Sequence, residues 1–169
     1  RLLAPNLHRQ DQVVEIGCGL GCTVKNLEMA GFHATGIEPG DGFRRFATER
    51  LSARVEPGVL ASLPRQARYD VVLLVHVLEH LRSPSESLGH IRATLRNQGR
   101  LYVEVPNAGA PHAAPGKMFH FAHLYNFTRH TLTMLAEKNR FRVERWLSAD
   151  EEKNLRVLLA GCPEGVSQV

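Results

Sequence analysis

Only three cysteines and one tryptophan occur among the 169 residues, and no apolar run is long enough to cross a bilayer. Cys18, Cys22 and Cys162 cannot build a disulfide framework or a paired zinc knuckle. This excludes the small disulfide-stapled class and points to a reducing, cytoplasmic setting. No signal-peptide layout opens the chain. Lysine and arginine outnumber acidic residues 21 to 17, for a net charge of +4, but they are scattered. Without a basic block or interleaved aromatics, nucleic acid is not the expected partner. There is no repeat, low-complexity tract or interdomain linker. With 43% hydrophobic and 22% charged residues, the expectation is a single domain over 1–169 with a full core. Residues 1–10 read as the tail of a helix. Because the chain opens at Arg1, upstream helices and part of a substrate lid are expected to be missing.

What is present alternates. Strand signals fall at 12–16, 34–38, 52–56, 69–75, 99–104, 142–147 and 155–160, and helix signals at 22–30, 42–49, 84–95 and 129–138. Such alternation predicts an α/β fold, a three-layer αβα sandwich around a mostly parallel seven-stranded sheet. The polar stretch 148–154 is too short for a crossover helix, so the last two strands should form an antiparallel hairpin. Ser83, with Glu86, is expected to cap the helix that starts at Pro84. Thr128 is expected to cap the next helix, and Asn97-Gln98-Gly99 should turn into the fifth strand.

The most informative stretch is Val13-Val14-Glu15-Ile16-Gly17-Cys18-Gly19-Leu20-Gly21, answered by Gly36-Ile37-Glu38-Pro39. A buried strand ends in an acid and breaks into glycines at alternate positions, where a ligand can approach bare backbone. The second strand ends in Glu38, placed to take two ribose hydroxyls. A dinucleotide fingerprint would put its last glycine where Cys22 stands, and Glu15 suits a cationic amino-acid tail better than a pyrophosphate. Cys18 and Cys22 read as small residues that let the ligand in. The pattern resembles motif I of the class I S-adenosylmethionine-dependent methyltransferases, and the predicted sheet resembles theirs. That resemblance implies S-adenosylmethionine as cofactor and S-adenosylhomocysteine as product, held by Glu15, Gly17, Cys18, Gly19, Gly21, Glu38 and Pro39.

The resemblance continues along the chain. After the third strand, relatives often offer an acid to the adenine amino group; Val59 and Leu60 stand there, leaving adenine to backbone and apolar contact. Tyr69-Asp70-Val71-Val72, followed by Val75-His76-Val77-Leu78-Glu79-His80-Leu81, is similar to the fourth motif of small-molecule methyltransferases, such as those of ubiquinone biosynthesis. It places Val75 and His76 at the cofactor. His76, Glu79 and His80 also spell H-x-x-E-H, which on a helix would put both histidines on one face. Some relatives carry Glu-x-x-Glu-His here and bind a divalent ion with it. His76 replaces the first glutamate and the motif has no third ligand, so a packed helix turn is preferred over a metal.

The stretch from Pro106 to Leu124 is too long for a plain connection and carries His112, His120 and His123; loops of that length are lids or binding elements. His123-Leu124-Tyr125-Asn126-Phe127-Thr128 resembles a segment of methyltransferases acting on sugars and other small metabolites. Deoxysugar C-methyltransferases pair glutamate with histidine there. Ala122 occupies the glutamate position, which disfavours abstraction of a carbon-bound proton. A hydroxyl needs only alignment and one base near neutral pKa. The expected base is His123, then His120, with Tyr125 orienting, and the acceptor a small molecule or saccharide; an amine is the less expected acceptor. The alternatives are an RNA 2′-O-methyltransferase using a divalent metal, a non-catalytic scaffold, and an NAD-binding oxidoreductase.

Overall fold

A computed structural model describes residues 4–110 and 121–162. Seven strands lie in the order β3-β2-β1-β4-β5-β7-β6: β1 Gln12–Ile16, β2 His33–Glu38, β3 Val55–Pro57, β4 Tyr69–Val75, β5 Leu95–Pro106, β6 Phe141–Trp146 and β7 Asn154–Gly161. The first five run parallel, while β7 pairs antiparallel with both β5 and β6. The helices are α1 Cys22–Met29, α2 Asp41–Leu51, α3 Pro84–Thr94 and α4 Arg129–Lys138.

The pleat sorts side chains to two cores. Along β4, Val72 and Leu74 join one cluster with Leu88 and Ile91 of α3 and Leu132 and Ala136 of α4. Val71 and Leu73 point the other way, into a cluster with Val24 and Leu27 of α1 and Ala47 of α2. Successive residues of one strand thus reach opposite faces, the period of two that makes a central parallel strand read as one unbroken apolar run. The expected three-layer sandwich follows, with α1 and α2 on one face and α3 and α4 on the other. Among the described residues no helix is long and apolar enough to cross a membrane.

Several local expectations are corrected. Helix α2 runs on to Leu51 and closes at Ser52 in the left-handed region (φ 52°), so the third strand starts at Val55 rather than at residue 52. The fifth strand starts at Leu95. Its pairing jumps from Leu95 to Arg100 opposite Tyr69 and Val71, and the expected turn lies inside it, with Gln98 at φ 64°. Thr128 caps α4, its hydroxyl accepting from the Thr131 N–H at 3.2 Å. Ser83 does not cap α3. Its ψ of 77° departs from the extended value of Thr128, 167°, which is what aims a side-chain oxygen back at the first turn. Pro84 starts that helix instead.

Candidate functional site

Parallel sheets bind ligands beyond the carboxyl ends of their strands, where neighbouring connections diverge to opposite faces. Here that point lies between β1, which leads to α1, and β4, which leads to the α3 face. A hollow of about 930 Å³ lined by Arg92, Lys138 and Arg140 lies instead by the opening residues of β5, at the other end of the sheet.

On the β1 side, the loop turns through left-handed glycines at 17, 19 and 21. A Cβ on Gly17 would come within 2.7 Å of the Val77 side chain, whereas one on Gly19 would meet nothing within 4 Å. Gly17 is therefore required by a close approach, and Gly19 presents bare backbone to open space. The Gly17 N–H donates to the Ile37 carbonyl at 2.7 Å, fastening the loop to β2. Cys18 turns inward against Gly36. Burial, reinforced by the charges of Glu15 and Glu38, pushes its thiol up to about 12, so it stays protonated and unreactive.

Glu38 ends β2 with both carboxylate oxygens fixed: Oε2 accepts from Gly19 N–H at 2.9 Å and Oε1 from Gly40 N–H at 2.7 Å. Each oxygen keeps lone-pair capacity for a further donor. Pro39 is exposed, its carbonyl taken by Arg44 at 2.8 Å. Beyond β3, Val59 is half-exposed while Leu60 packs in the core with Ile37.

Glu15 is 4% exposed, under the start of α1, and its Oε2 has no partner among the described residues. Burial raises its pKa to about 7, although the Thr23 hydroxyl and Val24 N–H pull the other way. The folded state therefore holds a proton that the unfolded chain releases above its ordinary pKa of 4.5. Stability from this group is full below that value and is lost as pH rises towards 7, by about 3 kcal/mol in all. Glu15→Gln should thus match the wild type in urea denaturation near pH 4.5 and exceed it by about that amount at pH 8. An equal difference at both pH values would contradict this.

On the β4 side, Val75 ends the strand, half-buried, and His76 follows with φ 53°, a left-handed conformation that concentrates at functional sites. Its N–H donates to the Glu104 carbonyl at 2.9 Å, and its Nδ1 lies 3.3 Å from Glu79 Oε1. The Glu79 bond raises the imidazole's pKa, with burial opposing. The helical placement of H-x-x-E-H, on which both histidines would share a face, does not form, and the preferred helix turn does. The positive φ at His76 ends the strand, and Leu78–His80 makes one 3-10 turn, so His76 and His80 do not share a helix face. Instead Glu79 and His80 converge with His123, their ligand-capable atoms all within 4.8 Å of one another.

His123 belongs to the segment entering α4, and the turn holds that segment in place. The Glu79 carbonyl accepts from Leu124 N–H at 2.9 Å and Tyr125 N–H at 3.2 Å. The Tyr125 hydroxyl donates to the Arg82 carbonyl at 3.1 Å. His112 and His120 lie outside the described residues.

One constellation escaped the sequence reading. Glu104, two residues before the end of β5, accepts from the Tyr102 hydroxyl at 2.8 Å, Asn154 Nδ2 at 3.0 Å and Arg156 Nε at 3.1 Å. Burial would raise the Glu104 carboxyl, but these donors outweigh it and hold it low. A carboxylate near the end of a third strand, after Glu15 in β1 and Glu38 in β2, was the available signal.

Residues 1–145 match the methyltransferase domain family. An uncharacterized methyltransferase of Alkaliphilus oremlandii (strain OhILAs) is 29% identical over 98 residues, 56% of this chain and 45% of that protein. A tRNA U34 carboxymethyltransferase of Enterobacter sp. (strain 638) is 33% identical over 100 residues, 54% of this chain and 31% of that protein. The chain thus spans less than half the length of these curated relatives. The crystal structure of Burkholderia thailandensis 1,6-didemethyltoxoflavin-N1-methyltransferase, with 1,6-didemethyltoxoflavin and S-adenosylhomocysteine bound, shares the fold with a TM-score of 0.76 and 21% identity, over 96% of this chain and 76% of that one. With the family match running from residue 1 to residue 145 of 169, the chain belongs to the methyltransferase domain family.

Proposed function

We propose that this domain transfers a methyl group from S-adenosylmethionine to a hydroxyl of a small molecule or saccharide. The donor end fits the residues present. Glu38 has acceptor capacity for a ribose diol, Gly19 offers open backbone, and Glu15 carries an unpaired oxygen for an ammonium. S-adenosylmethionine supplies a methyl already activated on a sulfonium, so the protein's task is alignment and handling of one proton.

The hydroxyl reading rests on one observation. Three imidazoles, His76, His80 and His123, gather around Glu79 beside the carboxyl end of β4. Among them, His80 directs Nδ1 to the Ala122 carbonyl at 2.8 Å, so Nδ1 carries its hydrogen and Nε2 offers a lone pair that can take the proton of an O–H acceptor. Tyr125 backs these imidazoles from the segment before α4, with His123 beside it. Glu104, whose three donors hold its pKa low, is a poor base and is not assigned the proton.

The test is methyl transfer from isotope-labelled S-adenosylmethionine to matched panels of phenols, sugars and amines, with products located by mass spectrometry. Label on oxygen is the expected result. Transfer to nitrogen alone would overturn the hydroxyl assignment and keep the methyltransferase; transfer to no acceptor despite cofactor binding would point to a scaffold.

A further inference from the structure

The hollow of about 930 Å³ by the opening residues of β5 has a lining of one sign. Arg92 reaches it from the last turn of α3 and Lys138 from the last turn of α4, and no Asp or Glu is among the described residues that line it. The helix ends do not use these cations up. The Ala136 and Glu137 carbonyls of α4 accept from Asn139 and Arg140 N–H, each at 3.0 Å, and the Thr94 carbonyl of α3 accepts from Arg68 N–H at 2.9 Å. Of the five N–H groups of Arg92, one on Nη2 donates to the Cys162 carbonyl at 2.7 Å, and Nε is buried with no partner among the described residues. Gly161, ending β7, makes the space: a Cβ there would come within 2.9 Å of Arg92 Nε and 3.1 Å of Cζ. A guanidinium seated at one corner, with donors to spare, is a fork set for an oxyanion.

We infer that this hollow binds a phosphate-class oxyanion, free or as an ester of a small molecule, with Arg92 as its main anchor and Lys138 as the second cation. A guanidinium matches two oxygens of one phosphate, and an ammonium adds a movable point charge. The exposed amides of Asn97 and Gln98 on the same wall can donate to the body of an ester. The volume is that of a small-molecule site, about 300–1,000 Å³, whereas a nucleic-acid surface needs a run of cations along the phosphate backbone. The anion would tie α3, α4 and the end of β7 together, at the opposite end of the sheet from Glu15 and Glu38. It therefore acts on the packing of that face as an effector, stabilising the folded state by its binding, and takes no part in methyl transfer. Neither the methyl donor nor the acceptor enters this assignment.

The experiment is calorimetric titration with inorganic phosphate, pyrophosphate and a sugar phosphate, in phosphate-free buffer. It compares wild type, Arg92→Ala, Arg92→Lys, Lys138→Ala and, as a control for lost charge, Arg145→Ala, whose residue is exposed on β6. Saturable binding of at least one probe, with Kd below about 1 mM, is expected in wild type and Arg145→Ala. Arg92→Ala should weaken it about tenfold or more, Lys138→Ala should weaken it less, and Arg92→Lys should restore only part of the loss. An unchanged far-ultraviolet circular dichroism spectrum is the check on folding. Tighter binding of the sugar phosphate than of inorganic phosphate would assign the hollow to a phosphorylated small molecule, and equal binding to the free anion. No saturable binding by wild type, equal binding in Arg92→Ala and wild type, or equal weakening in Arg145→Ala and Arg92→Ala would each overturn the assignment. Tighter binding of a single-stranded RNA oligomer than of every small probe would also overturn it.

Discussion

Replacing Glu38 with alanine is expected to weaken binding of S-adenosylhomocysteine on the order of 100-fold, measured by calorimetric titration. Hydrogen bonds to a charged group contribute about 1.5–3 kcal/mol each, and a carboxylate at the end of β2 can take two from a ribose. Loss of one such bond spans about ten- to 150-fold, and loss of two would reach beyond that. The same oxygens also hold Gly19 and Gly40 at 2.9 and 2.7 Å, so alanine frees the glycine loop as well as removing the charge. Glu38→Gln keeps one acceptor and should fall between wild type and alanine. Unchanged affinity in Glu38→Ala would remove Glu38 from the cofactor site. Tight binding of NAD in a parallel titration, with none of S-adenosylhomocysteine, would sink the methyltransferase reading altogether.

The largest effect on stability is expected at Phe141, which opens β6 at 0% exposure and belongs to the core that also holds Leu132, Ala136, Leu155 and Leu159. Truncating such a ring to alanine costs about 3–5 kcal/mol, because the transfer energy is lost and the cavity collapses only in part. That is a large share of the 5–15 kcal/mol of a typical domain. At about 2–4 °C per kcal/mol for a chain of this size, Phe141→Ala should melt roughly 6–20 °C lower. A urea titration showing less than about 1 kcal/mol of loss would mean that the α4–β6 side repacks freely. The substitution lies at the sheet edge remote from Glu38, so the two effects should add when combined.

The parts of the site legible in the sequence were those written contiguously. The glycine loop and Glu38 announce themselves because a strand, a turn and a carboxylate follow in order, and the apolar run of β4 marks a strand buried on both faces. What stayed hidden depends on pairing across the chain. Asn154 and Arg156 meet Glu104 only because β7 runs antiparallel beside β5, setting Arg156 opposite Glu104. Likewise H-x-x-E-H looked helical by spacing. The structure breaks it with a positive φ at His76, a backbone state that sequence periodicity does not encode, and takes the missing ligand candidate from His123, 43 positions beyond His80. The Ser83 cap failed for a similar reason, since its backbone dihedrals are set by the turn at 78–80 and the proline that follows. Thr128 had no such constraint and capped as expected.

The sheet order β5-β7-β6 sets a timetable. A ribosome adds about 5–20 residues per second, so β6 emerges before the strand that must lie between it and the sheet. Until Gly161 has been made, β5 keeps an unpaired edge and β6 has no neighbour to bond. The parallel half can collapse early, but the outer edge of β5 stays open to any other chain until β7 is made. The seven-stranded sheet therefore closes from its middle outwards and late, with the burden of avoiding misassembly falling on the interval between the appearance of Trp146 and that of Gly161.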